Sequence, residues 1–266
     1  MSSQQFFQTH PVFRRDEFVE HVERGGNSAN QSTVGNLLAH HRQKGRIVKI
    51  RRGLYASVPA GLEPEDFQPN RYLIGAHLWA DGVLGYHTAL ELHGYAHSSF
   101  ETVHILCPVP RRDFEYRGTR FHPILQPKPL RENGQTQVAT EDVAKSDDRI
   151  SVTRIERTIV DCLSRPELAG GWEELFKSID NVPYVDCELL EDYVELLDNR
   201  TTVAKLGFLL EAKHDDWFVP DGLLERLETL VPASPVYIDE QRSSSLASRW
   251  QLMVPDDILN RSWEEM

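Results

Sequence analysis

The stretch that decides the fold is "GRIVKIRRGLYASVP", residues 45–59. Two short apolar runs, "RIVKI" (46–50) and "LYASV" (54–58), stand on either side of a basic turn that ends in Gly53. Apolar and β-branched runs around a glycine-containing turn are typical of a β-hairpin. A hairpin this small cannot bury its own apolar side chains, so we expect them to pack on neighbouring helices while its basic side chains stay in solvent.

The residues before the hairpin predict helices. "SSQQFFQTH" (2–10) favours a short helix, "PVF" (11–13) a short strand, and "RRDEFVEHVERGG" (14–26) a second helix that stops at its two glycines. "STVGNLLAHHRQKG" (32–45) predicts a third helix. Its apolar stripe repeats at i, i+3, i+4 and i+7 and consists of Val34, Leu37, Leu38 and His41. The order helix, strand, helix, helix, hairpin is that of a winged helix-turn-helix, with residues 45–59 as the wing.

Electric charge is unevenly distributed along the chain. The 266 residues carry a formal net charge of −12, yet residues 1–60 hold nine Lys/Arg and four Asp/Glu. Those four acids all fall between Asp16 and Glu23, and no acid occurs from Arg24 to Tyr55. A cationic segment without carboxylates can approach a polyanion without like-charge repulsion, which favours a nucleic acid as its partner.

The third predicted helix carries side chains that suit the reading of DNA. Because successive side chains turn by about 100°, an inward apolar stripe leaves a small polar face outward. The amides of Asn36 and Gln43 suit adenine edges in a major groove, and Ser32 or Thr33 at the helix start suits a phosphate. The predicted interface with double-stranded DNA comprises Ser32, Thr33, Asn36, His40, Arg42, Gln43, Lys44, Arg46, Lys49, Arg51 and Arg52. A small helical domain with a solvated basic face, or a winged helix used for protein contacts, would show the same pattern.

The predicted domain boundary follows the hairpin. "PAGLEPEDFQP" (59–69) has three prolines and three acids in eleven residues, which is typical of a linker. We therefore predict a winged helix-turn-helix DNA-binding domain at 1–60, a linker at 61–69 and a C-terminal α+β domain at 70–266. The predicted class is α+β, with an N-terminal winged helix-turn-helix followed by a larger mixed α/β domain.

The composition predicts a cytoplasmic protein without membrane contact. No run approaches the roughly 18 apolar residues that a membrane span needs, and the first residues lack the basic start and apolar centre of a signal peptide. The three cysteines, Cys107, Cys162 and Cys187, are odd in number and far apart, which is typical of reduced thiols.

Two groups of residues imitate metal or nuclease sites. His93 and His97 have the i, i+4 spacing of a metal-binding pair, but Gly94 between them favours the end of a helix. Glu211 and Lys213 imitate half of a nuclease motif, which needs a strand, whereas the apolar spacing around them predicts a helix. We therefore predict no metal site here.

A third group lies in "RIERTIVDCL" (154–163), where Arg157 and Asp161 are spaced i, i+4 and predict an ion pair on one helix face. The same residues could bind a phosphate or a partner. The sequence has neither a glycine-rich phosphate loop nor a recognisable Ser/His/Asp arrangement. We predict no catalytic residue, no cofactor and no enzymatic activity.

Five segments carry a resemblance to a known family. They are "KGRIVKIRRGLYASVP" (44–59), "GVLGYHTALELHGYAHSSFETVHILCP" (82–108), "RIERTIVDCLSRPELAGGWEEL" (154–175), "AKLGFLLEA" (204–212) and "RWQLMVP" (249–255). In this order they resemble the AbiEi family, the antitoxins of type IV toxin–antitoxin and abortive-infection (phage-defence) systems. The resemblance runs from about Phe13 to Trp263, and "RGLY", "TALELHG" and "RTIVDCL" are its most specific pieces.

The resemblance implies a winged-helix domain that represses its own operon by binding inverted repeats in double-stranded DNA. It also implies a C-terminal domain required for antitoxicity and a partner gene for a nucleotidyltransferase-like toxin. In a type IV system the antitoxin opposes the toxin's effect without a stable complex. The expected function is therefore that of an antitoxin and autoregulatory transcriptional repressor. The alternative is an antitoxin that neutralises its toxin by direct binding, with DNA binding secondary.

Overall fold

The computed structural model describes residues 3–25, 30–145, 148–238 and 243–259. Ser2 and Gly26, at the ends of two predicted helices, and the last residues of the family resemblance lie outside these ranges. The first elements are α1 (Ser3–Thr9), β1 (Val12–Arg14), α2 (Arg15–Arg24), α3 (Gln31–Gln43), β2 (Ile47–Arg51), β3 (Leu54–Ser57), α4 (Arg71–Leu78), β4 (Val83–Leu84), α5 (His87–His93), β5 (Thr102–Cys107), β6 (Phe114–Tyr116) and β7 (Thr119–Leu125). They continue with α6 (Lys128–Glu132), β8 (Thr140–Lys145), β9 (Asp148–Thr153), α7 (Ile155–Ser164), α8 (Trp172–Asp180), α9 (Cys187–Leu196), α10 (Arg200–Ala212), α11 (Asp221–Thr229), β10 (Val236–Tyr237), β11 (Ser244–Ala247), β12 (Leu252–Pro255) and α12 (Asp256–Leu259).

The chain forms two compact units. Unit 1 comprises Met1–Leu84, Glu101–Leu125 and Asp142–Ser151, and unit 2 comprises Gly85–Phe100, Gln126–Glu141 and Val152–Met266. Helices combined with sheets of parallel and antiparallel pairs confirm the predicted α+β class. The segment 61–69, predicted to be an interdomain linker, lies within unit 1.

The amino-terminal part of unit 1 has the predicted order of helix, strand, helix, helix and hairpin. Its three strands form an antiparallel sheet in the order β1-β3-β2, and the hairpin turn is made by Arg52 and Gly53. Gly53 has φ +80°, a left-handed conformation that glycine adopts without strain. The core beneath the sheet consists of Phe6, Phe13, Phe18, Val22, Val34, Leu38 and Ile47. The hairpin therefore packs on the helices, as the sequence predicts.

Helix α3 begins and buries residues as the apolar stripe predicts. Asn30 caps it, because its Oδ1 accepts a hydrogen bond of 2.8 Å from the backbone N–H of Thr33. Val34, Leu38 and His41 are buried. The opposite face of the helix is therefore left to solvent.

The rest of unit 1 contains α4 and most of a six-stranded sheet with the order β6-β7-β5-β4-β9-β8. Strand β5 pairs in parallel with β7 and antiparallel with β4. The predicted linker runs beside this sheet as irregular chain, and Arg117 in the β6–β7 turn holds it. The Arg117 guanidinium donates to the carbonyls of Pro64, at 2.8 Å, and of Glu65 and Phe67. The segment has no helix or strand, as a linker would, but it is tied to the fold.

Unit 2 is mainly helical and contains the third predicted group. Arg157 and Asp161 on α7 are both buried, and Nε and Oδ2 lie 3.3 Å apart. The Tyr193 hydroxyl donates to Asp161 at 2.7 Å, and Arg157 also donates to the Val138 carbonyl at 2.7 Å. The predicted ion pair is confirmed, and its burial gives it a structural role in joining α7 to α9. The carboxyl-terminal sheet has the order β10-β12-β11.

Candidate nucleic-acid interface

The outward face of α3 presents the polar side chains that the sequence predicts for it. Asn36, His40 and Gln43 are exposed, while Val34 and Leu38 on the opposite face are buried. This separation follows from the 3.6-residue period of the helix. Both amide side chains are therefore free of core packing and accessible to a ligand that lies along α3.

The first turn of α3 is organised by its own cap. Besides the bond to Thr33, Asn30 Oδ1 accepts a hydrogen bond of 2.8 Å from the Ser32 hydroxyl. Ser32 is exposed and Thr33 is half-buried. A hydroxyl can still accept a hydrogen bond while it donates one, but it no longer has a free proton for a phosphate oxygen. Of these two residues, Thr33 is the better placed to donate its hydroxyl proton to an anion.

Exposed basic side chains continue from the carboxyl end of α3 into the hairpin. They are Arg42, Lys44, Arg46, Lys49 and Arg52. Within the part of the chain that the structure describes, no hydrogen bond or ion pair engages any of these five side chains. Two other surface arginines of unit 1 do have carboxylate partners: Arg24 pairs with Glu20 at 2.9 Å and Arg120 pairs with Asp113. We call these five residues the basic strip.

Arg51 does not belong to the basic strip, although the sequence predicts it as a DNA contact. Its guanidinium donates to the Leu78 carbonyl at the end of α4 and lies 5.5 Å from the centre of the Trp79 ring. Burial, with repulsion from Arg14 and Arg111, lowers the pKa of Arg51. Strand β2 points this side chain toward the sheet instead of the solvent, so we assign it to packing within unit 1.

Arg14 binds the same end of α4 as Arg51. Its Nε donates to the His77 carbonyl at 2.9 Å. The carbonyls at the carboxyl end of a helix lack partners within the helix, and cations stabilise them. The two arginines therefore connect β1 and the hairpin to α4, a role for which the sequence pattern offers no signal.

A groove of about 920 Å³ borders the basic strip. Arg42, Lys44 and Lys49 line it, together with Glu63 and Glu65 of the predicted linker. The sequence suggested a carboxylate-free cationic surface, because it shows no acid between Arg24 and Tyr55. The structure instead places two carboxylates beside that surface, from a segment that follows it in the chain.

The histidine and nuclease-like groups have structural contacts. His93 Nε2 donates to the Thr153 carbonyl at 2.8 Å, and Gly94 ends α5 in a left-handed conformation, as its position predicts. Glu211 lies on α10, a helix as predicted, and accepts from the Trp250 ring nitrogen at 2.8 Å. Among the described residues, no group of three or more His, Cys, Asp or Glu side chains is arranged to hold a metal ion.

Comparisons with known proteins bear on the fold. No family model and no curated protein matches the chain. The crystal structure of the RV2827C protein from Mycobacterium tuberculosis is similar, with a TM-score of 0.57 and 17% sequence identity. The match covers 95% of this chain and 89% of that chain, so the likeness extends over both units. At this identity it shows a shared fold. In the described ranges of the chain, no helix has the length and apolar character needed to cross a bilayer.

Proposed function

We propose that the amino-terminal part of unit 1 is a winged helix that binds duplex DNA through α3 and the basic strip. The observation that supports this most directly is the basic strip itself. Five exposed cations without a partner among the described residues follow one another along the chain from the end of α3 to the hairpin turn, and the exposed face of α3 carries two amides. Exposed cations without ion-pair partners are typical of a protein surface that binds a phosphate backbone.

In the proposed complex α3 enters the major groove. The amides of Asn36 and Gln43 then address base edges, and the basic strip contacts phosphates on both sides of the groove. Inverted repeats require two copies of the chain, with half-sites separated by about 34–36 Å or a multiple of that distance. Specificity in this arrangement comes from α3, while most of the affinity comes from the basic strip.

We further propose that the protein is an antitoxin and an autoregulatory repressor of a type IV system, which counters a nucleotidyltransferase-like toxin. This part of the proposal is supported by the resemblance to the AbiEi family over most of the chain. A repressor of its own operon needs a DNA-binding surface, and the basic strip supplies a candidate for it. We expect no enzymatic activity from the chain.

A binding experiment tests the DNA-binding proposal. Fluorescence anisotropy of the full chain with the DNA upstream of its own operon should give an affinity that falls about tenfold or more in the double variant Arg42→Ala, Lys44→Ala. The reason is the loss of two phosphate contacts. Lys128→Ala is the matched control, since Lys128 is an exposed lysine of unit 2 that pairs with Glu132 at 3.5 Å. Equal affinities for the double variant and the wild-type chain would refute the proposal.

A further inference from the structure

Four arginines of unit 1 line an open cavity of about 480 Å³, which we call the arginine cavity. Arg14 and Arg15 lie where β1 meets α2, and Arg51 and Arg52 lie at the tip of the hairpin. Asp16 is the one carboxylate among the described residues that line the cavity. Four guanidinium groups against one carboxylate leave an excess of at least three positive charges.

The two pieces of chain that carry these arginines are bonded to each other. The backbone N–H of Arg15 donates to the Gly53 carbonyl at 2.9 Å, and Arg14 pairs with Leu54 in the antiparallel sheet. Arg52 immediately precedes Gly53 in the turn. The start of α2 is therefore fixed beside the hairpin turn, and the fold itself brings the arginines to one place.

The contacts of Arg14 and Arg51 with α4 leave donors for a ligand. Arg14 donates through Nε to the His77 carbonyl at 2.9 Å and through Nη2 to the Ala76 carbonyl at 3.4 Å. Arg51 donates through Nη2 to the Leu78 carbonyl. A guanidinium has five N–H donors, so each group keeps several that these carbonyls do not use. The same bonds hold both groups in position, which lowers the entropy that is lost when a ligand binds.

Positive charges repel one another in this part of unit 1. Burial lowers the pKa of Arg51, and repulsion from Arg14 and Arg111 lowers it further. Arg111 has a carboxylate partner, because its guanidinium lies 3.2 Å from Asp81. An anion in the arginine cavity reduces the repulsion that remains, and its attraction to the arginines is strongest where water is partly excluded.

Carboxylates near the cavity are engaged elsewhere. Asp148 Oδ2 lies 2.7 Å from Nε2 of His77, and Glu17 Oε1 lies 3.7 Å from Nδ1 of the same ring. Both carboxylates are therefore directed to the histidine. An ion pair of Arg51 or Arg52 with any carboxylate is absent from the ranges that the structure describes. The fold gathers these cations without neutralising them.

We propose that the arginine cavity binds an anion that carries a phosphate group. A guanidinium can donate two parallel N–H bonds to the oxygens of one phosphate, and arginine is the side chain best suited to this geometry. A multiply charged anion also suits an excess of three positive charges better than a single carboxylate does. The volume of about 480 Å³ lies within the range of small-molecule sites, roughly 300–1,000 Å³, so the group that bears the phosphate has room as well.

Two sources can supply this phosphate, a free phosphorylated small molecule and the backbone of bound DNA. The described residues that line the cavity belong to β1, α2, the hairpin and α4, and none belongs to α3. A free small molecule can therefore bind without engaging α3, and this source is independent of the proposed function. The DNA source rests on the proposed function, since Arg52 also belongs to the basic strip.

Calorimetric titration of the full chain with sodium pyrophosphate, without DNA and at constant ionic strength, tests the site. The wild-type chain should bind pyrophosphate saturably at one site. Arg15→Gln should weaken this binding tenfold or more, and Arg15→Lys should weaken it less, because it keeps the charge but loses the fork. Lys49→Ala is the matched control and should bind like the wild-type chain, since Lys49 is an exposed cation of the hairpin that does not line the cavity.

A second variant separates binding from a structural role of Arg15. The Arg52 side chain is exposed and has no hydrogen bond or ion pair among the described residues, so Arg52→Gln should melt at the temperature of the wild-type chain. It should nevertheless weaken pyrophosphate binding several-fold. Pyrophosphate binding that is equal in the wild-type chain, Arg15→Gln and Arg52→Gln would overturn the proposal.

Anisotropy titrations with operator DNA distinguish the two sources. If a free anion occupies the cavity, Arg15→Gln should bind DNA like the wild-type chain while it loses affinity for pyrophosphate. If a backbone phosphate occupies it, Arg15→Gln should make the slope of log K against log[salt] shallower by about 0.9. A wild-type chain that does not bind pyrophosphate, together with an Arg15→Gln variant whose DNA binding is unchanged, would refute the site. The pyrophosphate titration contains no DNA, so its result does not depend on whether the proposed function is correct.

Discussion

His41 is a titratable side chain held in an apolar environment on the inner face of α3. Its ring meets Phe7 and Phe18 edge-on, with centroids 4.8 and 6.4 Å away, and its Nδ1 has no hydrogen-bond partner among the described residues. Burial, with repulsion from Arg46 and His40, lowers the pKa of His41. The folded state therefore favours the neutral form of His41.

This position predicts how stability depends on pH. In the unfolded chain the pKa of His41 returns to about 6.5, so between that pH and its lower folded value the unfolded chain binds the extra proton. The free energy of unfolding is therefore retained above about pH 6.5 and falls as pH drops toward the folded pKa. Chemical denaturation at pH values from about 7.5 to 5.5 should show this loss, and His41→Leu should reduce it. His21, whose pKa burial also lowers, accounts for part of the remainder. A loss as steep in the variant as in the wild-type chain would contradict the assignment.

At the scale of elements, the sequence was informative wherever the signal is local. Helix α3 could be predicted from the i, i+3, i+4, i+7 repeat, and the β2–β3 hairpin from a glycine between two apolar runs. The contacts of Arg51 and Arg117 could not, because their partners lie 27 and about 50 residues away in sequence. A basic residue in a turn has the same local pattern whether it faces solvent or a carbonyl. The sequence therefore predicted the exposure of Asn36 and of the basic strip, whereas the contact of Arg51 with α4 needs tertiary information.

Arg117 offers a test at this scale. Its guanidinium donates hydrogen bonds to three backbone carbonyls of the segment 64–67. Arg117→Ala should therefore release that segment, while α3 and the hairpin stay folded. Hydrogen exchange measured by mass spectrometry should become about tenfold faster in peptides covering residues 61–69, because local opening there costs less free energy. Arg112→Ala, at an exposed arginine in the loop before β6, should have no such effect. Unchanged exchange in Arg117→Ala would mean that other contacts fix the segment.

At the scale of the whole molecule, the distribution of charge bears on the proposed complex with DNA. The chain is acidic overall, at −12, but its basic strip has no ion-pair partner among the described residues. An acidic remainder repels duplex DNA wherever the basic strip is not engaged, and this favours binding in one orientation. Glu63 and Glu65 line the same groove as Arg42, Lys44 and Lys49, so they weaken the attraction for phosphates on that side of the basic strip.

This distribution predicts the salt dependence of DNA binding. Five phosphate contacts from the basic strip give a slope of log K against log[salt] of about −4.5, at about −0.9 for each contact. Lys49→Ala and Arg52→Ala should each make the slope shallower by about 0.9. Each should also weaken binding to all DNA sequences by the same factor. Asn36→Ala should keep the slope and relax the preference at one base pair, by about 1–3 kcal/mol. Anisotropy titrations of the full chain from about 50 to 300 mM salt measure these quantities. A wild-type slope no steeper than about −2 would contradict a phosphate-binding role for the basic strip, and a shallower slope in Asn36→Ala would contradict the assignment of Asn36 to base contacts.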